Sequence, residues 1–93
     1  MTSSEKKLLK HSFERMCSVV TQQILKGQEL NAIDTIYLIS RLYKEVKSKH
    51  PYIIGDLNKI LESQLNSLLK LSTKKGYLLI TEEIEKGLEM YKK

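Results

Sequence analysis

Apolar residues recur along this chain at helical spacing, and they are clearest between Ile53 and Ser72, IIGDLNKILESQLNSLLKLS. Ile53, Ile54, Leu57, Ile60, Leu61, Leu65, Leu68 and Leu69 cluster on one side at about 100° per residue. Asp56, Lys59, Glu62, Ser63, Asn66, Ser67 and Lys70 take the other side. A helix with this leucine face must lay it on other helices, and three more candidates are at hand. Upstream, Leu9, Phe13, Met16, Val20 and Ile24 form a stripe with Cys17 at its edge, closed by Gly27 as a helix stop. Thr2-Ser3-Ser4-Glu5 reads as its start, with Thr2 and Glu5 spaced as a capping box and Ser3 or Ser4 as alternative caps.

The second helix is expected from a cap at Asn31. Ala32, Ile36, Ile39, Tyr43 and Val46 follow at alternating four- and three-residue steps, the seam of an antiparallel bundle. Leu42 widens the seam, while Ile33, Tyr37 and Leu38 fall outside it. Pro51 ends that helix and suits the first turn of the next. Gly55 weakens that turn, so regular helix is expected from Asp56, and Gln64 falls within the apolar stripe as a register-fixing amide. Ser72-Thr73-Lys74-Lys75-Gly76 is a further break. Tyr77–Thr81 reads as a short strand or, better, as a helical lead-in, because no second alternating run exists to pair with it. Thr81 is then the N-cap of a last helix carrying Ile84, Leu88 and Tyr91 and reaching about Lys92. The fold expected is all-α: a single antiparallel four-helix bundle occupying residues 1–93 as one domain.

Composition changes this picture little, being 41% hydrophobic and 29% charged. Charge changes it more. Sixteen Lys and Arg against eleven Asp and Glu give +5, and residues 1–50 hold nine of the bases and five of the acids. Lys6, Lys7, Lys10 and Arg15 form one basic cluster, and Arg41, Lys44, Lys47 and Lys49 form another. Each suits phosphates, an anionic lipid surface or an acidic protein, and the plainer reading is a solvated lysine-rich surface. Cys17, the single cysteine, excludes an internal disulfide and fits a reducing, cytoplasmic setting. No secretory signal is legible, and unbroken apolar runs stop at four residues.

Catalytic chemistry finds no support: G-x-S-x-G, a glycine-rich phosphate loop and H-E-x-x-H are all absent from the sequence. His11 and Glu14 share a helix face, but two groups do not make a metal site, and no cofactor is implied. Cys17 reads as a small buried hydrophobe. The expectation is a non-enzymatic protein that binds another protein. Contact residues are drawn from Lys6, Lys7, Lys10, Lys44 and Lys47, and leftover apolar residues (Leu25, Ile33, Tyr37, Leu38) suit docking on a helix or homodimer formation. The alternative is a small nucleic-acid-binding protein. Tyr52–Leu61 and Gln64–Leu71 would form a helix-turn-helix around Glu62-Ser63, with Tyr77–Thr81 as a wing. The second of those helices, however, commits Leu65, Leu68, Leu69 and Leu71 away from base edges.

From Leu42 onward the chain runs through a basic amphipathic helix, Pro51-Tyr52-Ile53-Ile54, then Leu57-Asn58 and a leucine-rich helix. This order resembles the middle of the class IIa bacteriocin immunity proteins, in which a proline opens the third helix and an asparagine follows seven positions on, as Asn58 does here. The resemblance spans about half the chain in pattern. It implies a cytosolic antiparallel four-helix bundle, peripheral to the inner face of the membrane. Such a protein protects a bacteriocin-producing cell by binding, without chemistry, at the cytoplasmic face of a sugar-permease receptor and blocking the pore the bacteriocin opens. One departure is that the family carries a tail after its last helix that takes part in specificity, whereas this sequence stops at Lys93. The resemblance also implies a contact on exposed positions of the last helix and chain end, such as Tyr91, alongside the basic residues.

Overall fold

A computed structural model describes residues 3–91. Its elements are α1 (Ser3–Leu25), α2 (Glu29–Lys49), a 3₁₀ turn (Pro51–Ile53), α3 (Ile54–Lys75) and α4 (Leu78–Tyr91). Among the described residues there is no strand, and the architecture is an all-α four-helix bundle of alternating direction.

Two antiparallel hairpins build it, and their turns are constructed alike. Gly27 and Gly76 both sit in the left-handed region, at φ 72° and 75°. At the first turn the Gln28 amide donates to the Gln23 carbonyl (2.9 Å) and the Gly27 amide to the Ile24 carbonyl (3.1 Å). At the second, the Tyr77 amide donates to Ser72 (3.0 Å) and the Gly76 amide to Thr73 (3.1 Å). Both pairs make a Schellman motif, which satisfies the last carbonyls and turns the chain within three residues.

Three expected boundaries move as a result. The chain leaves Gly27 already aimed into α2, so the helix begins at Glu29 instead of at a cap on Asn31, and Gln28 makes no side-chain cap. Gly76 likewise releases α4 at Leu78, which puts Thr81 inside its first turn. The Thr81 hydroxyl bonds the Tyr77 carbonyl (2.9 Å) and the fully buried Ser72 hydroxyl (2.9 Å), so it ties α3 to α4 and does not cap. Tyr77–Thr81 is therefore a helical lead-in, as its lack of a partner strand required. At α3, the 3₁₀ turn opened by Pro51 delivers regular helix at Ile54, ahead of Gly55. The proposed capping residue Thr2 lies outside the described residues, as does Lys92, while Ser3 and Ser4 both lie within α1.

The hairpins stack with α1 against α3 and α2 against α4. Each of these pairs runs in a common direction. Lys10 meets Asp56 near the starts of α1 and α3 (3.4 Å), and Gly27 meets the Tyr77 hydroxyl near their ends. Between the hairpins lies one core. Leu57, Leu61, Leu65 and Leu68 are buried from α3, with Phe13, Val20, Ile36 and Ile39 as expected. On α1 the seam is Phe13, Cys17, Val20 and Ile24, so Cys17 takes the central position and Met16 and Leu9 are half-buried beside it. Gln64 is half-buried at the margin of α3's stripe.

Candidate binding surface: a lysine collar at one end of the bundle

Because α1 and α2 are antiparallel, the start of one lies beside the end of the other. The two lysine clusters, nearly forty residues apart in sequence, thus meet at one end of the molecule. They do not form one patch. The α1 lysines turn toward α3: Lys10 pairs with Asp56, and the Lys6 ammonium lies 5.7 Å from the centre of the Tyr52 ring. Tyr52 is exposed and shares a 3.2 Å hydrogen bond with His50 Nδ1. Lys44 lies on the other flank, lining the groove between α2 and α4 with Tyr37, Ser40 and Met90. Lys7, Lys44 and Lys47 are exposed, and Lys6 and Lys10 are half-buried. Lys49 is held by Glu45 one turn earlier (2.8 Å). Exposed pairs of this kind contribute at most about 1 kcal/mol, so these cations remain available to a partner. The result is a collar around the end of the bundle, with exposed Leu8 and Tyr52 among its lysines.

Tyr91, expected as an exposed contact, is only 1% exposed. It continues the stripe of Ile84 and Leu88, and Gly87, one turn earlier, leaves room for its ring. The ring packs edge-on against Tyr43 with centroids 4.7 Å apart, and its hydroxyl shares a 3.3 Å hydrogen bond with Ser40. Burial pushes the Tyr91 hydroxyl up to about 12, against the opposing pull of that bond. Tyr91 is a core residue and leaves the contact set. Tyr43 completes the cluster by donating its hydroxyl to Asn58 Oδ1. Asn58, noted for its place after Pro51, thus links α3 to α2 through the core, which sequence spacing alone did not reveal.

Cys17 is buried in the same region, and desolvation, with Glu14 adding to it, lifts its thiol to about 11. At neutral pH it is a protonated thiol packed as a hydrophobe, without the thiolate that nucleophilic or metal chemistry uses. Among the described residues no three His, Cys, Asp or Glu side chains gather as metal ligands. The helix-turn-helix considered over residues 52–71 does not form: α3 passes without a break through Glu62 and Ser63. Leu65 and Leu68 of its second half are buried in the core, and Leu69 and Leu71 are half-buried against it. No helix of the described residues is long and apolar enough to cross a membrane.

No family model, no curated protein and no solved structure matches this chain.

Proposed function

We propose that the protein acts by binding a protein partner at an anionic membrane surface, in the manner of a class IIa bacteriocin immunity protein. The observation that carries this reading is the distribution of the lysines. They ring one end of the bundle on two flanks, which suits end-on approach to a negatively charged leaflet, where each nearby Lys or Arg contributes about 1 kcal/mol. A nucleic-acid binder instead needs its cations along one face and a helix free to enter a groove. The order of Pro51, the aliphatic pair and Asn58 adds to the reading, since Asn58 is committed to bracing the bundle through Tyr43. In this account the protein works without catalysis: it docks beside the receptor permease on the cytoplasmic side and obstructs the opened pore.

Expression of the chain in a bacteriocin-sensitive strain tests this. Tolerance is expected to rise, and Lys6→Glu with Lys7→Glu and Lys47→Glu is expected to abolish it while leaving the helical circular-dichroism signal intact. Unchanged sensitivity across a panel of such bacteriocins overturns the proposal. Sequence-dependent DNA binding tighter than the roughly 10⁻⁴–10⁻⁶ M of non-specific contacts at physiological salt favours the nucleic-acid alternative.

A further inference from the structure

The 3₁₀ turn between α2 and α3 places an aromatic ring at the tip of the collar end. Ile53 is fully buried and anchors the turn, so its neighbour Tyr52 is directed outward and is 56% exposed. The ring is held in that position. His50 lies edge-on to it with centroids 5.9 Å apart and shares a hydrogen bond with its hydroxyl, and the Lys6 ammonium approaches its face. An outward tyrosine has an apolar body and a polar tip, the combination that settles where lipid headgroups meet acyl chains.

The charges around it leave a surplus of cations. Glu45 is taken by Lys49 and Asp56 by Lys10. Among the described residues no ion pair reaches Lys6, Lys7, Lys44 or Lys47. Lys6 and Lys7 come from the start of α1, and Lys44 and Lys47 from the end of α2, so they flank the tip on two sides. A plane of negative charge meets both sides at once, whereas a helix or a nucleic-acid duplex meets one. The molecule is 40 Å long, about four screening lengths at ~0.1 M salt. Lys26 and Lys74, exposed at the opposite end, therefore add nothing to what the collar touches.

We propose that the collar end binds anionic phospholipid directly, with no protein receptor, the four lysines on headgroup phosphates and the Tyr52 ring seated at the headgroup boundary. This deepens the reading of the collar as the membrane-facing end and rests on it. Four lysines amount to an association constant of about 10³ M⁻¹, below the ~10⁴ M⁻¹ of a single myristoyl chain, which is itself marginal. The lipid contact thus orients the bundle, and stable retention falls to the protein partner.

Co-sedimentation with lipid vesicles at ~0.1 M salt tests it. The chain is expected to bind vesicles of mixed phosphatidylglycerol and phosphatidylcholine and to ignore phosphatidylcholine alone. Lys6→Glu/Lys47→Glu is expected to weaken binding at least about 25-fold, at about fivefold for each lysine lost, and Tyr52→Ala several-fold. Lys26→Glu/Lys74→Glu makes the same change in net charge at the far end and is expected to weaken it less than about twofold. The sequence contains no tryptophan, so Tyr52→Trp supplies a single reporter. Its emission is expected to shift to the blue on the mixed vesicles and to be quenched by brominated acyl chains. Absence of binding to the mixed vesicles, an equal loss from the far-end reversals, or an indole that stays in water overturns the proposal. So does binding of a short DNA duplex in place of the vesicles. Vesicle binding without protection of bacteriocin-sensitive cells leaves this contact standing and overturns the immunity role, whereas protection without vesicle binding overturns this contact alone.

Discussion

Replacing Leu65 with Ala tests the packing of α3 against α4 in the core. Leu65 is 1% exposed, and its Cδ1 lies 3.5 Å from where a Cβ on Gly87 would stand. Removing three carbons loses roughly 2.5 kcal/mol of transfer free energy at ~0.8 kcal/mol per methylene. The facing residue has no side chain to move inward, and the Tyr91 ring is held by Tyr43 and Ser40. The void therefore persists, and roughly 60 Å³ of it adds about 1.5 kcal/mol at ~24 cal/mol per Å³. The expected loss is about 4 kcal/mol, a large share of the ~5–14 kcal/mol that a domain of this size holds. Urea unfolding followed by circular dichroism measures it as a fall in midpoint at unchanged slope. Adding Gly87→Ala should recover more in the Leu65→Ala background than it adds to the wild type, where its Cβ makes only ordinary contacts. A loss under 1 kcal/mol, or no coupling between the two sites, refutes this packing.

Alkaline stability should be limited by Tyr91 and Cys17. Their protonated forms are favoured in the folded state, so their contribution is whole below the unfolded values of about 10 and 9. It is lost as pH rises through the folded values of about 12 and 11. For Tyr91 that amounts to at most about 2–3 kcal/mol, and unfolding midpoints of Tyr91→Phe should decline less between about pH 9 and 11.5 than those of wild type. Gly76→Ala should cost about 1–2 kcal/mol, because its φ of 75° is strained for any Cβ. Gly55→Ala, with open space around it, should be neutral or stabilising in the same thermal melts.

The seams of α2 and α3 were readable because Ala32, Ile36, Ile39, Tyr43 and Val46, and Leu57, Leu61, Leu65 and Leu68, keep three- and four-residue steps over several turns. The α1 seam was displaced by one position because Met16 and Cys17 are adjacent and both apolar. Only packing against the opposite hairpin decides between them. Asn31 and Thr81 look like caps locally, yet each lies past a glycine that restarts the helix at once, so turn geometry overrides side-chain propensity. Tyr91 shows the same limit at the surface. Its spacing after Ile84 and Leu88 marked the core stripe, while its place near the end of the sequence suggested exposure, and the gap left by Gly87 settles it inside. Which lysines share a flank was not legible either, because that follows from α1 lying beside α3 and α2 beside α4.

The most direct test of the account is co-sedimentation of the purified chain with membranes from bacteriocin-sensitive cells. The binding reading predicts retention when both the receptor permease and the bacteriocin are present. It also predicts loss of that retention with the Lys6, Lys7 and Lys47 reversals. Equal retention on membranes lacking the permease, or none on any membrane, contradicts it.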